Sequence, residues 1–118
     1  MLQQLKRYDV VLVDFGENSI DSEQSGVRPA VIIQNDTGNF YSSTTIVVPL
    51  TSQHRSLSQP THTLITKGKS KGLDSDSIVL GECLRQVSEK RIKKFLGRIT
   101  DKNEQLEIRR VYDANFGE

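Results

Sequence analysis

Tryptophan is absent from the 118 residues, cysteine and methionine occur once each, and aromatic residues make up 6% of the chain. A core built on large ring clusters is thereby excluded. The apolar content falls to Val, Ile and Leu, which favour pleated, half-buried strands and point to a compact barrel or small sheet. Cys83, the single cysteine, cannot close an internal disulfide, and no basic stretch followed by an apolar one opens the sequence as a secretory signal would, so the cytoplasm is the expected compartment. No run approaches the roughly 18 apolar residues that span a bilayer, and membrane insertion is not expected. Histidine is scarce too: only His54 and His62 are present, and neither stands with Cys83 in a spacing typical of zinc or iron ligands. Gly68-Lys69-Ser70 lacks the upstream glycine of a phosphate-binding loop. Neither a metal nor a nucleotide cofactor is expected.

Residues 1–118 form one domain of ordinary size. The formal net charge is +1, which decides nothing about nucleic acid, because phosphate affinity depends on where cations sit. Their distribution is uneven. Asp9, Asp14, Glu17, Asp21 and Glu23 occur without a basic residue among them, whereas Arg85, Lys90, Arg91, Lys93, Lys94 and Arg98 are opposed by Glu89 alone. That asymmetry suits two faces of opposite sign, solvated or lining a path for RNA.

Along the chain, Tyr8 to Phe15 reads as a β-branched first strand ending at Gly16 and buried on both sides near its middle. Residues 16 to 26 hold neither period, as in a long surface loop used for binding or gating. Pro29, without an amide proton, belongs at the first residue of a second strand over Ala30 to Gln34, which leaves Arg28 at the strand mouth. Asn35 to Asn39 reads as a turn, Thr44 to Leu50 as a third strand, His54 to Pro60 as a loop, and Thr61 to Thr66 as a fourth strand. Lys67 to Gly72 is a basic turn region. Ser77 to Gln86 reads as one or two short strands with Gly81 at a bulge and Cys83 buried in a strand. Ser88 is placed to cap a short helix, Glu89 to Leu96, stopped by Gly97. Asp101 and Glu104 resemble the capping box of a last helix, on which Ile108, Val111, Tyr112 and Phe116 share one face.

With metals set aside, the candidates for chemistry are polar groups at strand ends. Ser22-Glu23-Gln24-Ser25-Gly26 precedes Arg28, and Thr51-Ser52-Gln53 follows the third strand. A guanidinium matches two phosphate oxygens in a planar fork and can stabilise a pentavalent phosphorane, so this set suits a phosphodiester. Spacing alone also fits, and somewhat favours, a capped loop with a surface arginine. His62 lies inside an alternating strand and reads as a packed, hydrogen-bonded residue. His54, in a loop beside Arg55, is the better histidine for substrate contact.

The blocks Asp9-Val10-Val11-Leu12-Val13-Asp14-Phe15, Ser22-Glu23-Gln24-Ser25-Gly26-Val27-Arg28-Pro29, Ile33-Gln34-Asn35-Asp36 and Pro49-Leu50-Thr51-Ser52-Gln53 follow one another in an order and spacing that resemble the MazF/PemK toxins of bacterial toxin-antitoxin systems. The resemblance is strongest from about residue 7 to 53 and fainter beyond. It implies a mainly β fold with α additions: a small SH3-like barrel carrying a short helix and a C-terminal helix, paired as a homodimer. It implies a metal-independent endoribonuclease that cuts single-stranded RNA, messenger RNA above all, by attack of the ribose 2′-hydroxyl on the adjacent phosphorus, and that is neutralised by a small acidic antitoxin. Carried over by motif, Arg28 is the principal catalytic residue and Thr51 its partner. Glu23 and Gln24 line or gate the site, with Glu23 the carboxylate able to act as base. Ser25, Asn35, Gln53 and His54 are candidates for RNA contact, Asn35 being equally suited to forming a turn.

Three positions depart from the resembled pattern. Tyr8 and Asp21 stand where that family often carries glycine, and Cys83 where it often carries glutamine, so the gating loop and the bases read are both affected. A gyrase poison like the CcdB toxins is the alternative of a different class; such proteins depend on a C-terminal tryptophan, and this chain has none. A non-catalytic SH3-like module for an extended peptide ranks behind it, because the aromatics that would line its groove are few and scattered.

Overall fold

The computed structural model describes residues 4–17 and 25–117. Seven strands, β1 (Asp9–Asp14), β2 (Val27–Ile32), β3 (Thr44–Thr51), β4 (His62–Ile65), β5 (Ser77–Leu80), β6 (Arg85–Ser88) and β7 (Ile92–Arg98), are joined by one short helix, α1 (Asp36–Tyr41), and closed by a longer one, α2 (Lys102–Asp113). Every ladder is antiparallel, in the order β4-β5-β3-β2-β1-β7, with β6 also paired to β3. The mainly β class expected from composition and resemblance is the one observed. Barrel closure is not: among the described residues no ladder returns from β7 to β4. The turn Lys69–Lys71 packs against β7 instead, so tightly that Cβ atoms on Gly72 or Gly97 would overlap the other segment's backbone.

Period-two alternation gives the sheet two buried faces. Val10, Val31, Val48 and Leu50 pack with Ile65, Leu73, Val79 and Ile99 under Ile108 and Val111 of α2. Val11, Val13, Phe15, Ala30, Ile32, Val47 and Val87 form the second cluster on the opposite face. β1 contributes to both, as its unbroken run of Val and Leu predicts for a strand covered on each side. Burial of each such side chain contributes about 1.5–3 kcal/mol, so the two clusters dominate the fold's stability.

Several local expectations are corrected. Residues 89 to 96 are not helical: Ser88 does cap, accepting from the Lys90 amide at 3.2 Å, but only a single 3-10 turn follows before β7 pairs with β1 through two register shifts. Gly97 lies within that strand. Sheet pairing outweighs the weak local signal, because Ile92 and Leu96 find buried partners only from a strand. Asn35 opens α1 rather than an isolated turn, its side chain capping the Gly38 amide at 2.7 Å. Pro29 is the third residue of β2, not the first. Gly81 and Cys83 sit in a 3-10 turn (Gly81–Cys83) between β5 and β6, so Gly81 makes no bulge and Cys83 is half-buried outside any strand. Asp101 caps α2, accepting from the Asn103 and Glu104 amides, whereas Glu104 does not complete a capping box and pairs with Lys71 at 2.9 Å. Ile108 and Val111 are buried, but Phe116 falls in a terminal 3-10 turn and is 85% exposed.

Tyr8, the first departure from the resembled pattern, has φ 76°, the one described non-glycine residue on the left-handed side. That backbone suits glycine. It is held at both ends, by Tyr8 N–H donating to the Ile32 carbonyl at 2.7 Å and by the Ile99 N–H donating to the Tyr8 carbonyl at 3.0 Å. Asp21, the second departure, lies outside the described residues.

Candidate active site at a splayed strand pair

Two prolines determine where the sheet opens. The Gly26 and Ile32 carbonyls accept from Phe15 and Tyr8 on the β1 side, so by alternation Pro29 turns its nitrogen toward β3. It has no proton to offer there. The β2-β3 ladder accordingly starts only at Ala30 opposite Pro49. Pro49 falls in a second break, between the last β3-β6 pair, Val47 with Arg85, and the first β3-β5 pair, Leu50 with Val79. Beyond these breaks β2 and β3 are free of one another's ladder. The β2-β3 register, continued two residues outward, sets Arg28 opposite Thr51 on the face that holds Ala30, Ile32 and Val47. The paired ladder itself ends at Ala30 and Pro49, so the two residues with proposed catalytic roles share a face just past its end.

Arg28 is half-buried, cross-strand from Val13, and its Nε donates to the Ser25 carbonyl at 2.7 Å. One edge of the guanidinium plane is thereby fixed to the root of the preceding loop. Thr51 is 4% exposed, and its Oγ1 accepts from the Gln53 amide at 3.2 Å, which turns the chain out of β3. A fixed planar cation can bind a phosphate and stabilise added negative charge on it, and an oriented hydroxyl can add a neutral hydrogen bond. The loop root is closed by Phe15 N–H to the Gly26 carbonyl at 2.9 Å and Gly26 N–H to the Gly16 carbonyl at 2.6 Å. Glu23 and Gln24, expected to gate the site, lie outside the described residues.

Of the residues expected to contact RNA, Ser25 stands beside Arg28 through its carbonyl, and Gln53 and His54 are exposed just past Thr51. Arg55 ties that stretch together, donating from Nη1 to the His54 carbonyl at 3.0 Å. Asn35 is not brought to the site. It follows the other end of β2, serves as the α1 cap, and lines a separate cleft of 470 Å³ with Tyr8, Gln34, Ile108 and Tyr112.

Arg85 was not singled out by spacing, yet it shares the site's face: it pairs with Val47 and stacks 5.4 Å over the Phe15 ring. Arg91 donates to the Asp14 carbonyl at 3.1 Å, at the same loop root. The basic stretch was visible in the sequence, but only the β3-β6 register assigns a face to its first member. β7 pairs directly with β1, and buried Asp9 accepts from Arg98 at 2.8 Å. Lys93 and Lys94 remain exposed on β7.

Among the described residues, no three His, Cys, Asp or Glu side chains gather as metal ligands, and no helix is long and apolar enough to cross a membrane. The Cys83 thiol is pushed up by burial and by the Glu82 charge, against the opposing pull of Arg55, so it is held as a thiol. His62 is packed and hydrogen-bonded, as its place in an alternating strand predicts.

Residues 6–111 match the model of the PemK-like, MazF-like toxins of type II toxin-antitoxin systems. The chain is 42% identical over 113 residues to the endoribonuclease MazF of Staphylococcus saprophyticus, covering 96% of this chain and 92% of that one. Its fold is similar to that of crystalline MazF (Form-I) from Deinococcus radiodurans, with a TM-score of 0.80 at 18% identity, covering 98% of this chain and 99% of that one. It is also similar to an endoribonuclease solved in complex with its cognate antitoxin from a mycobacterial species, with a TM-score of 0.75 at 21% identity over 96% and 95% of the two chains.

Proposed function

The chain belongs to the PemK-like, MazF-like toxins of type II toxin-antitoxin systems and is an endoribonuclease, and from that premise we propose that it cuts single-stranded RNA sequence-specifically at the Arg28–Thr51 mouth without a metal. The reading is supported by the β2-β3 register, which ends at Ala30 opposite Pro49 and, carried two residues outward, aligns position 28 with position 51.

In the proposed reaction the ribose 2′-oxygen attacks the adjacent phosphorus, the bond to the 5′-oxygen breaks, and the proton lost by the 2′-hydroxyl is balanced by one gained at the leaving oxygen. The products are a 2′,3′-cyclic phosphate and a 5′-hydroxyl. Arg28, anchored through Nε, places its terminal N–H groups on the phosphorane oxygens, where negative charge accumulates. It acts by charge and hydrogen bonding rather than by giving up a proton, which arginine scarcely releases. The Thr51 hydroxyl adds a neutral donor. Glu23 is the carboxylate assigned as base, and Gln24 gates the site. Ser25, Gln53 and His54 contact RNA around the cut, and Arg85 adds positive charge on the same face. With Asn35 bound up in the α1 cap, base reading falls mainly to the residues after Thr51.

The toxin acts in the cytoplasm as a homodimer, a reading supported by exposed Phe40, Tyr41 and Leu106, apolar area that one copy leaves uncovered. Its partner is a small acidic antitoxin whose disordered tail folds over the Arg28 mouth and competes with RNA. The direct test is digestion of total RNA in excess EDTA with mapping of the new ends. Discrete cuts bearing 5′-hydroxyls are expected; cleavage abolished by the chelator and restored by a divalent ion would overturn the metal-free reading.

A further inference from the structure

His62 is a buried titratable group that the proposed reaction does not use. Its side chain is 4% exposed at the start of β4, and both ring nitrogens face acceptors: Nδ1 lies 2.8 Å from the Ser56 carbonyl and Nε2 lies 2.9 Å from Glu82 Oε2. A carbonyl only accepts. Glu82 is a carboxylate here: burial pushes its pKa up, but hydrogen bonds from His62, its own amide and Thr61 outweigh that and hold it below its ordinary 4.5. Both contacts are therefore satisfied only when both ring nitrogens carry protons. Either neutral tautomer points a lone pair at an oxygen.

The acceptor at Nδ1 is the middle of the loop that runs from Thr51 to β4 and carries Gln53 and His54. Between Ser52 and Ser58 that loop makes no backbone-to-backbone hydrogen bond among the described residues. Its internal ties are short-range, Gln53 to Thr51 and Ser58 to Ser56. Arg110 of α2 holds only its far end, through the Pro60 and His62 carbonyls. The His62-Ser56 bond is what connects the loop's middle to the folded body. Other charged groups about the imidazole are Glu107, which pairs with Arg110 on α2, and Arg55 in the loop itself.

We propose that doubly protonated His62 is a positioning residue, clamped between Glu82 and the Ser56 carbonyl, which fixes the Gln53–His54 loop beside Thr51 and so sets RNA affinity without entering the chemical step. The proposal rests on the reading of that loop as RNA-contacting. As the imidazolium loses its proton, one of the two bonds becomes a repulsion and the loop is released.

Three proteins decide it: wild type, His62→Ala and Glu82→Gln. A glutamine amide can donate to a neutral His62 Nε2 while its oxygen still accepts from Thr61, so Glu82→Gln satisfies the clamp without the extra proton. The half-saturating RNA concentration and the saturating single-turnover rate are measured against pH. His62 protonation is followed by NMR on the same samples, since only one other histidine is present. For wild type, the half-saturating concentration should rise by roughly tenfold as His62 deprotonates, the order expected for losing one hydrogen bond to a charged group. His62→Ala should sit at the weak-binding level at every pH, and Glu82→Gln at the tight-binding level at every pH. The saturating rate should differ little among the three at a given pH. Trypsin cleavage after Arg55, read by mass spectrometry at a pH where the NMR signal shows His62 doubly protonated in wild type, should be faster in His62→Ala than in wild type, with or without RNA activity. A wild type that cuts no RNA would refute the functional reading while the trypsin arm still tests the clamp. Equal trypsin cleavage in the three proteins, or RNA affinity that ignores His62 protonation in an active wild type, would overturn the inference.

Discussion

Replacing Arg28 by alanine removes one anchored guanidinium and little else. In the folded protein it breaks the 2.7 Å bond from Nε to the Ser25 carbonyl on a half-buried side chain, which costs about 1.5–3 kcal/mol for a hydrogen bond from a charged donor. A domain with a stability of roughly 5–15 kcal/mol tolerates that loss and stays folded. The transition state loses more. Donors aimed at developing phosphorane charge are worth about 3 kcal/mol each where water is excluded, so the cleavage rate should fall by roughly a hundredfold or more. Binding should fall less, because the ground-state phosphate is held by other contacts as well. Arg28→Lys separates charge from geometry: a lysine keeps the cation but cannot hold Ser25 and fork onto two oxygens together, so its rate should stay well below wild type. The assay is single-turnover cleavage at saturating enzyme, with binding to a non-cleavable 2′-O-methyl RNA measured in parallel and folding checked by circular dichroism. A near-wild-type rate for Arg28→Ala would refute the assignment and move the site elsewhere on the chain.

Thr51→Ala should also lower the saturating rate, but more mildly, by roughly tenfold for a neutral hydroxyl, as read in the same single-turnover assay. Lys93→Ala and Lys94→Ala should leave the saturating rate unchanged and each reduce the salt dependence of RNA binding by up to about one unit of slope if they meet phosphate, which a titration at several salt concentrations reads directly. Glu82 gives a pH prediction. Its folded pKa is depressed, so its stabilising contribution is complete above the ordinary 4.5 and is lost as pH falls through the folded value. Denaturant melts of wild type and Glu82→Gln should therefore converge by on the order of 1 kcal/mol or less between neutral pH and about pH 3, the small size reflecting a partly exposed carboxylate.

The elements legible in the sequence were those with long-range patterning to match their surroundings. The Val-rich runs over β1 and β3 and the alternation of β4 are legible because both faces or one face of each strand are buried. The Asp101 cap was legible because an N-cap is a local device. Over β7 the local signals, Ser88 and Gly97, favour a helix, whereas the partner that makes residues 92–98 a strand, β1, lies about eighty positions earlier. Spacing places Arg28 and the Thr51-Ser52-Gln53 block at strand mouths, but which face of the sheet each takes depends on register, which no one-dimensional pattern contains. Asn35 shows the converse limit. An asparagine before Asp-Thr-Gly fits a cap as well as a base contact, and the 2.7 Å bond to the Gly38 amide assigns it to the cap. Arg85 is one cation in a basic stretch, and only its pairing with Val47 assigns it a face.

In the proposed reaction this chain cuts RNA through the substrate's own 2′-hydroxyl at a metal-free site. That reaction is tested most directly by one substrate pair: a single-stranded RNA containing a mapped cut site, and the same strand with a single 2′-deoxyribose immediately 5′ to the scissile phosphate, both incubated with the protein in excess EDTA. Cleavage of the first is expected, with a 2′,3′-cyclic phosphate on the upstream fragment and a 5′-hydroxyl on the downstream one, and no cleavage of the second at that bond. Cutting of the deoxy-substituted strand at the same bond, or a 5′-phosphate on the downstream fragment, would contradict the proposed reaction.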